Sequence, residues 1–136
     1  MLESSLALQK GIRAALVADA GVTDLVTATS IFDGRTRPEN FPCVIMGEGQ
    51  TVLEAITYAR KHVRVYLDAH IWTKEAGLHD VKTIAGAVST ALALSPAIDD
   101  HALVDFMVTG TRFMRDPKEE YGHAIISIEA LIQVAS

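Results

Sequence analysis

His62-Val-Arg-Val-Tyr-Leu-Asp-Ala-His-Ile-Trp72 runs through Thr73–Gly77 into Leu78-His-Asp-Val-Lys-Thr-Ile-Ala-Gly-Ala-Val88. In the first segment Val63, Val65, Leu67, Ala69 and Ile71 occupy alternate positions, the period of one strand face. In the second, Leu78, Val81, Ile84, Ala85, Val88 and Leu92 recur at helical spacing and make one apolar stripe. Two apolar faces in succession bury each other when a helix lies across a sheet. This strand-turn-helix unit therefore sets the fold, and the rest of the chain is read outward from it.

Upstream, residues 2 to 19 read as a helix with Leu8, Ile12, Ala15 and Leu16 on its buried side, ended by Gly21. Thr23 to Ala28 reads as one or two further turns with Thr23 as N-cap. Ser30–Phe32 is a short strand closed by Asp33-Gly34, and Arg35–Asn40 is a polar loop. Cys43–Met46 opens the next strand, with Pro42 at its entry, where no ladder bond is lost. Gly47 and Gly49 interrupt it, pairing resumes toward Glu54, and Gly47 to Arg60 is expected to form a long, partly mobile hairpin arm. Downstream, the helix is expected to continue to about Leu94 and stop at Ser95-Pro96. Leu103–Arg115 is a long strand with Gly110 as a bulge candidate, Asp116–Glu120 a turn, and Tyr121–Val134 the last strand. The short connection makes that final pair antiparallel. The expected fold is α+β: a mainly antiparallel sheet of four to five strands, with the N-terminal helix and one central helix packed on one face. The other face would carry Tyr66, Asp68, His70, Trp72, His123, Ser127 and Glu129, half polar and open to water or another subunit.

At 136 residues the chain reads as one domain, 1–136, and a domain of this size buries roughly 68% of its extended surface. Composition is that of a globular protein, 49% hydrophobic and 21% charged. Apolar runs fall far short of the ~20 residues of a membrane span, and no basic region precedes an apolar block to suggest a secretory signal. The formal net charge of −5 argues against tight phosphate binding, which needs clustered Lys and Arg. The densest basic group, Arg60, Lys61 and Arg64, reads as a solvated strand end. Cys43 is the lone cysteine, which leaves no intrachain disulfide and reads as a small buried hydrophobe.

No motif for chemistry stands out. The five histidines, His62, His70, His79, His101 and His123, lack metal-ligand spacing. His70 and His123, with Asp68 or Glu129 nearby, form the one conceivable general-base or metal site. Gly47-Glu-Gly-Gln-Thr51 lacks the Lys-Ser/Thr ending of a phosphate loop, and no Gly-x-Ser-x-Gly is present. Asp99-Asp100 and Glu119-Glu120 read as solvated turn acids. Trp72 reads as a packing lid, with an interface anchor as the other role. No cofactor and no metal is expected. What does stand out is strand length, beyond the ~5–6 residue norm. Long exposed edges invite pairing with other chains, and a ring of identical subunits would cover them by symmetry.

Landmarks along nearly the whole chain resemble one family. They are Ala18-Asp-Ala-Gly-Val22, Ile31-Phe-Asp-Gly34, Asn40-Phe-Pro-Cys-Val-Ile-Met-Gly-Glu48, His70-Ile-Trp-Thr73 with Gly77, Asp80-Val-Lys-Thr-Ile-Ala85 with Val88, and Arg112-Phe-Met-Arg-Asp-Pro117 before Gly122-His123. In this order the chain resembles the tail-terminator (tail-completion) family of long-tailed phages, prophages and gene transfer agents. The resemblance implies a non-enzymatic virion protein: a hexameric ring of α+β subunits, assembled in the bacterial cytoplasm and placed at the head-proximal end of the tail. Such a ring caps the tail tube, ends its polymerisation and meets a head-side connector or stopper protein. DNA passes through its lumen without specific binding, and no membrane is involved. Residues 50 to 60 depart from the family pattern.

The residues expected to carry the tube or connector contact lie in the arm Glu48–Arg64: Glu48, Gln50, Glu54, Arg60 and Arg64, with Trp72 beyond it. Those expected at the subunit contact are Arg112, Arg115 and Glu119 of the last hairpin. Truncating the arm is expected to leave the fold intact while abolishing capping. Two alternatives stand beside this reading. One is another virion piece, a head-tail stopper or a tail tube subunit. The other is a small enzyme using His70, His123 and Asp68.

Overall fold

The computed structural model describes residues 2–34, 40–54, 61–116 and 120–134. The elements are α1 (Ser4–Val17), α2 (Ala20–Thr23), a 3₁₀ turn (Ala28–Ser30), β1 (Ile31–Asp33), β2 (Cys43–Glu54), β3 (His62–Lys74), α3 (His79–Ala91), β4 (His101–Asp116) and β5 (Tyr121–Val134). They form an α+β structure with one five-stranded sheet in the order β1-β2-β3-β5-β4. Four strands pair antiparallel, and β1 joins β2 in parallel.

The strand-helix unit packs as its periods dictate. Val65, Leu67, Ala69 and Ile71 of β3 and Ala124, Ile126, Ile128, Ala130 and Ile132 of β5 are buried on one face. Leu8, Ile12 and Leu16 of α1, and Val81, Ile84, Ala85 and Val88 of α3, close over them in one cluster. Each fully buried Val, Leu or Ile side chain among them contributes about 1.5–3 kcal/mol relative to exposure. Arg13 ties α1 to the sheet by donating from Nε to the Ile31 carbonyl, 2.8 Å away.

Several boundaries differ from the sequence reading. The first helix ends at Val17, and Gly21 lies inside α2 rather than stopping α1. Asp19, not Thr23, caps α2, accepting from the Val22 N–H at 3.2 Å; Thr23 is the last residue of that turn. An Asx side chain already placed at the chain reversal wins the capping role over a hydroxyl one turn later. The central helix stops at Ala91, before Ser95-Pro96. The arm is largely sheet: β2 continues to Glu54 and β3 begins at His62 in continuous register, while 55–60, and with them Arg60, lie outside the described residues. The loop reading for Arg35 to Glu39 and most of the Asp116–Glu120 turn, with Glu119, lie outside them too.

The glycine interruption in β2 is a register shift between Met46 and Gly49. Gly47 sits there at φ 146°, a conformation that side-chain-bearing residues rarely adopt. β4 carries two shifts of its own, between Leu103 and Asp105 and between Val108 and Gly110. The second is the bulge that Gly110 foreshadowed.

Candidate interaction surface

The registers lay out the sheet face opposite the helices as rows. One row runs Val52, Arg64, Leu131, Asp105, and the next Gln50, Tyr66, Glu129, Met107. Further along come Ile45, His70, Ile125, Arg112, and then Cys43, Trp72, His123, Met114. Residues directly opposite across paired strands share a face, so these side chains stand together although they come from four strands.

The face is polar toward the end where β2 stops and β3 begins. Arg64 Nε donates to Glu54 Oε1 at 2.9 Å, and Glu129 Oε1 lies 3.6 Å from the Arg64 guanidinium on the other side. Glu54's hydrogen bond pushes the Arg64 pKa up still further. Partly exposed ion pairs of this kind contribute little to stability, but they fix the position of a cation on an otherwise mixed surface. Around them stand exposed apolar side chains: Tyr66 at 41% and Met107 at 48% on the face, and Val104 at 52% beside the β4 bulge.

One corner of the same face is closed. Cys43, Ile45 and Trp72 form a second, smaller apolar cluster, with Phe32, Phe41 and Tyr121 packed against it. Phe41 stacks on Tyr121 at 4.7 Å between centroids, Trp72 meets Tyr121 edge-on at 6.5 Å, and Trp72 stacks on His123 at 3.8 Å. His70 Nδ1 lies 2.9 Å from His123 Nε2, and Glu48 Oε1 lies 3.8 Å from His70 Nε2. Burial, then the neighbouring His70, pushes the His123 pKa down to about 4. Burial raises the Cys43 thiol to about 12, which makes it an unreactive packing group at neutral pH. This corner was missed in the sequence. Its signal was there: Cys43–Met46 is apolar at both parities, the mark of a strand covered on both faces.

The expected contact residues divide. Glu48, Gln50, Glu54, Arg64 and Arg112 share the open face. Trp72 shares it too, but at 8% exposure it is enclosed in the stack. Arg115, opposite Gly122, falls on the helix-side parity, so the structure separates it from Arg112. Asp68 stands opposite Ser127, whereas the nearest ionisable partners of His70 are His123 and Glu48. Among the described residues no group of three or more His, Cys, Asp or Glu is placed to hold a metal, and no helix is long and apolar enough to cross a membrane.

The sheet also ends on a long edge strand. β4 spans 16 residues and pairs with β5 alone among the described strands. An unpaired strand edge presents N–H and C=O groups that a further strand can use. No residue of β4 is fully buried, whereas every second residue of β5 is buried from Gly122 to Ile132.

A family described as tail completion protein gp17 matches residues 10–133. Among solved structures, a chain from the virion of a native gene transfer agent (GTA) particle has the same fold, with TM-score 0.81 and 21% identity over 98% of this chain and 99% of that one. The gp17 protein of bacteriophage SPP1 is also similar, with TM-score 0.60 and 19% identity over 93% of this chain and 89% of that one. No curated protein matches significantly.

Proposed function

We propose a function from the premise that this chain belongs to the tail completion protein gp17 family: it is a virion structural protein that acts by closing into a ring at the head-proximal end of a tail. There it caps the tube, ends its polymerisation and joins the tail to a head-side connector. The observation that carries this reading is the edge position of β4, which pairs with β5 alone among the described strands, beside a sheet face that no helix covers among the described residues. A subunit with so long an edge strand, and with Val104 and Met107 exposed on it, is suited to a neighbour rather than to water. Closed cyclic symmetry gives every copy that neighbour, and six copies is the number proposed.

In this reading the subunit contact uses β4, including Arg112 on the open face and Arg115 on the other. The partner-facing end of the ring uses the arm that carries Glu48, Gln50, Glu54, Arg60 and Arg64, and Glu119 joins Arg112 and Arg115 at the subunit contact. The work is assembly, so binding energy is spent on burial and strand pairing rather than on a transition state. An acidic chain at net −5 lines a DNA passage without gripping phosphate. Truncating the whole arm is no clean test, because Gly49 to Leu53 pair with β3 residues that include core positions.

Negative-stain images and mass photometry of the purified protein test the proposal. The expected result is an annulus of six copies that stops at one ring and binds the end of purified tail tubes. Long cylinders would identify a tube subunit instead. A chain that stays monomeric both at high concentration and with tail tubes defeats the proposal.

A further inference from the structure

The corner around Trp72 combines three things: two imidazoles in direct contact, an indole stacked on one of them, and buried polar atoms without partners. His70 Nδ1 and His123 Nε2 are 2.9 Å apart, a hydrogen-bond distance that needs one proton between two nitrogens. With both rings neutral, one arrangement satisfies the surroundings best. His123 Nε2–H donates to His70 Nδ1, and the remaining His70 Nε2–H faces Glu48 at 3.8 Å. One added proton keeps the N–H···N contact, because only one of the facing nitrogens carries hydrogen. A second added proton puts hydrogens on both, and two donors cannot sit 2.9 Å apart.

We propose that the His70–His123 contact is a proton-operated latch for the aromatic corner: it holds Trp72 in its stack until the pair takes up its second proton, and then opens. The low pKa of His123, about 4, with burial as its first cause and His70 as its second, agrees with a pair that resists double protonation. The charged and titratable groups around it come from every neighbouring strand. Asp33 of β1 and Glu48 of β2 line one pocket with His70. Asp68 and Lys74 of β3, Arg112 and Asp116 of β4 and Tyr121 of β5 have the face parity of the pair. Burial and like-charge repulsion between two rings in contact both oppose a doubly charged pair.

The closed corner also has a reason to open. Trp72 Nε1 and His70 Nε2 are buried without a hydrogen-bond partner among the described residues. Parting the rings returns both to water, and uncovers Cys43 and Ile45. The latch stands on this geometry and does not depend on ring formation.

Trp72 is the sole tryptophan, so its fluorescence reports this corner alone. The intact protein is titrated from pH 8 to 3.5 with indole emission and far-UV circular dichroism recorded together, and the ring protons of His70 and His123 are followed by NMR. The latch predicts an emission change at a pH where the far-UV signal is still native, and two separated protonation steps for the pair. In His123→Phe, which keeps a stacked ring but removes the N–H···N contact, the emission step disappears. Emission that changes only with far-UV loss, or the same emission step in His123→Phe, overturns the latch. Should that variant not fold, the NMR titration of the unaltered chain decides: both histidines titrating together in one ordinary step overturns it.

Discussion

Replacing Glu75 by alanine should weaken α3 at its first turn, although Glu75 lies outside the helix. Leu78 occupies the N-cap position and has no side chain that can cap. Glu75 reaches over instead: Oε1 accepts from the Asp80 N–H at 3.0 Å, and Oε2 accepts from the Val81 N–H at 2.9 Å. The Thr73 hydroxyl donates to the same Oε2. A hydrogen bond to a charged group is worth about 1.5–3 kcal/mol, but Glu75 is half-buried and water replaces part of what is lost. A helix-cap value of about 1–2 kcal/mol is therefore expected, lowering Tm by roughly 3–8 °C. Glu75→Gln keeps one acceptor oxygen and should lose about half as much. Gly122 presses on the same spot, since a Cβ there would lie 2.5 Å from Thr73 Oγ1 and 3.2 Å from Glu75 Oε2. Gly122→Ala should then cost more in the native background than beside Glu75→Ala, where the hydroxyl is free to turn away. The double-mutant cycle should show coupling above about 0.5 kcal/mol. Urea unfolding of the four proteins measures all of this. A Glu75→Ala variant within about 0.3 kcal/mol of the parent, or strict additivity with Gly122→Ala, refutes the remote cap.

Three further outcomes are expected. Val104→Lys with Met107→Lys should leave urea stability within about 0.5 kcal/mol while abolishing rings in mass photometry, because lysine on an edge blocks strand pairing; persistence of rings would remove β4 from the contact. Burial tends to raise the Glu3 carboxyl, but hydrogen bonds from Ser5, Thr51 and the Leu6 N–H outweigh it and hold its pKa at about 2. Its contribution is thus complete above its ordinary value of 4.5 and disappears as pH falls toward about 2, so the stability of Glu3→Gln should fall less over that window; an identical pH profile in denaturant titrations speaks against it. Cys43, 0% exposed, should ignore a thiol reagent in the native protein at pH 8 and react fully once unfolded, and rapid native labelling would contradict the second cluster.

The periodic segments were legible because their signals are local. Alternation in Tyr121–Val134 marked one face of a strand, and every second residue from Gly122 to Ile132 is buried as that pattern demands. The α3 stripe was equally plain. The boundaries were less so, since Asp19 and Glu75 take capping roles that depend on where the chain turns in space. The second apolar cluster was hidden for a related reason: Phe41 and Tyr121 are far apart in sequence and meet only because β3 pairs with β5 at Trp72 and His123.

The expected contact residues show the same division. Glu54 and Arg64 were both marked from the arm, and cross-strand register brings them to 2.9 Å. Arg112 and Arg115 were marked as one group, yet they point to opposite sides of the sheet. An odd number of strand positions separates them, so with no bulge between them the period of two puts them on different faces.

By itself the amino-acid order determined which segments are strands and helices, which side of each is apolar, and that helices cover one sheet face. Those properties follow from backbone period and neighbouring residues. Only the tertiary structure decided that β4 is an edge strand, that β1 runs parallel to β2, and that His70, Trp72 and His123 share one corner. Strand order and register are settled by the summed packing of segments distant along the chain, and no local stretch carries that sum.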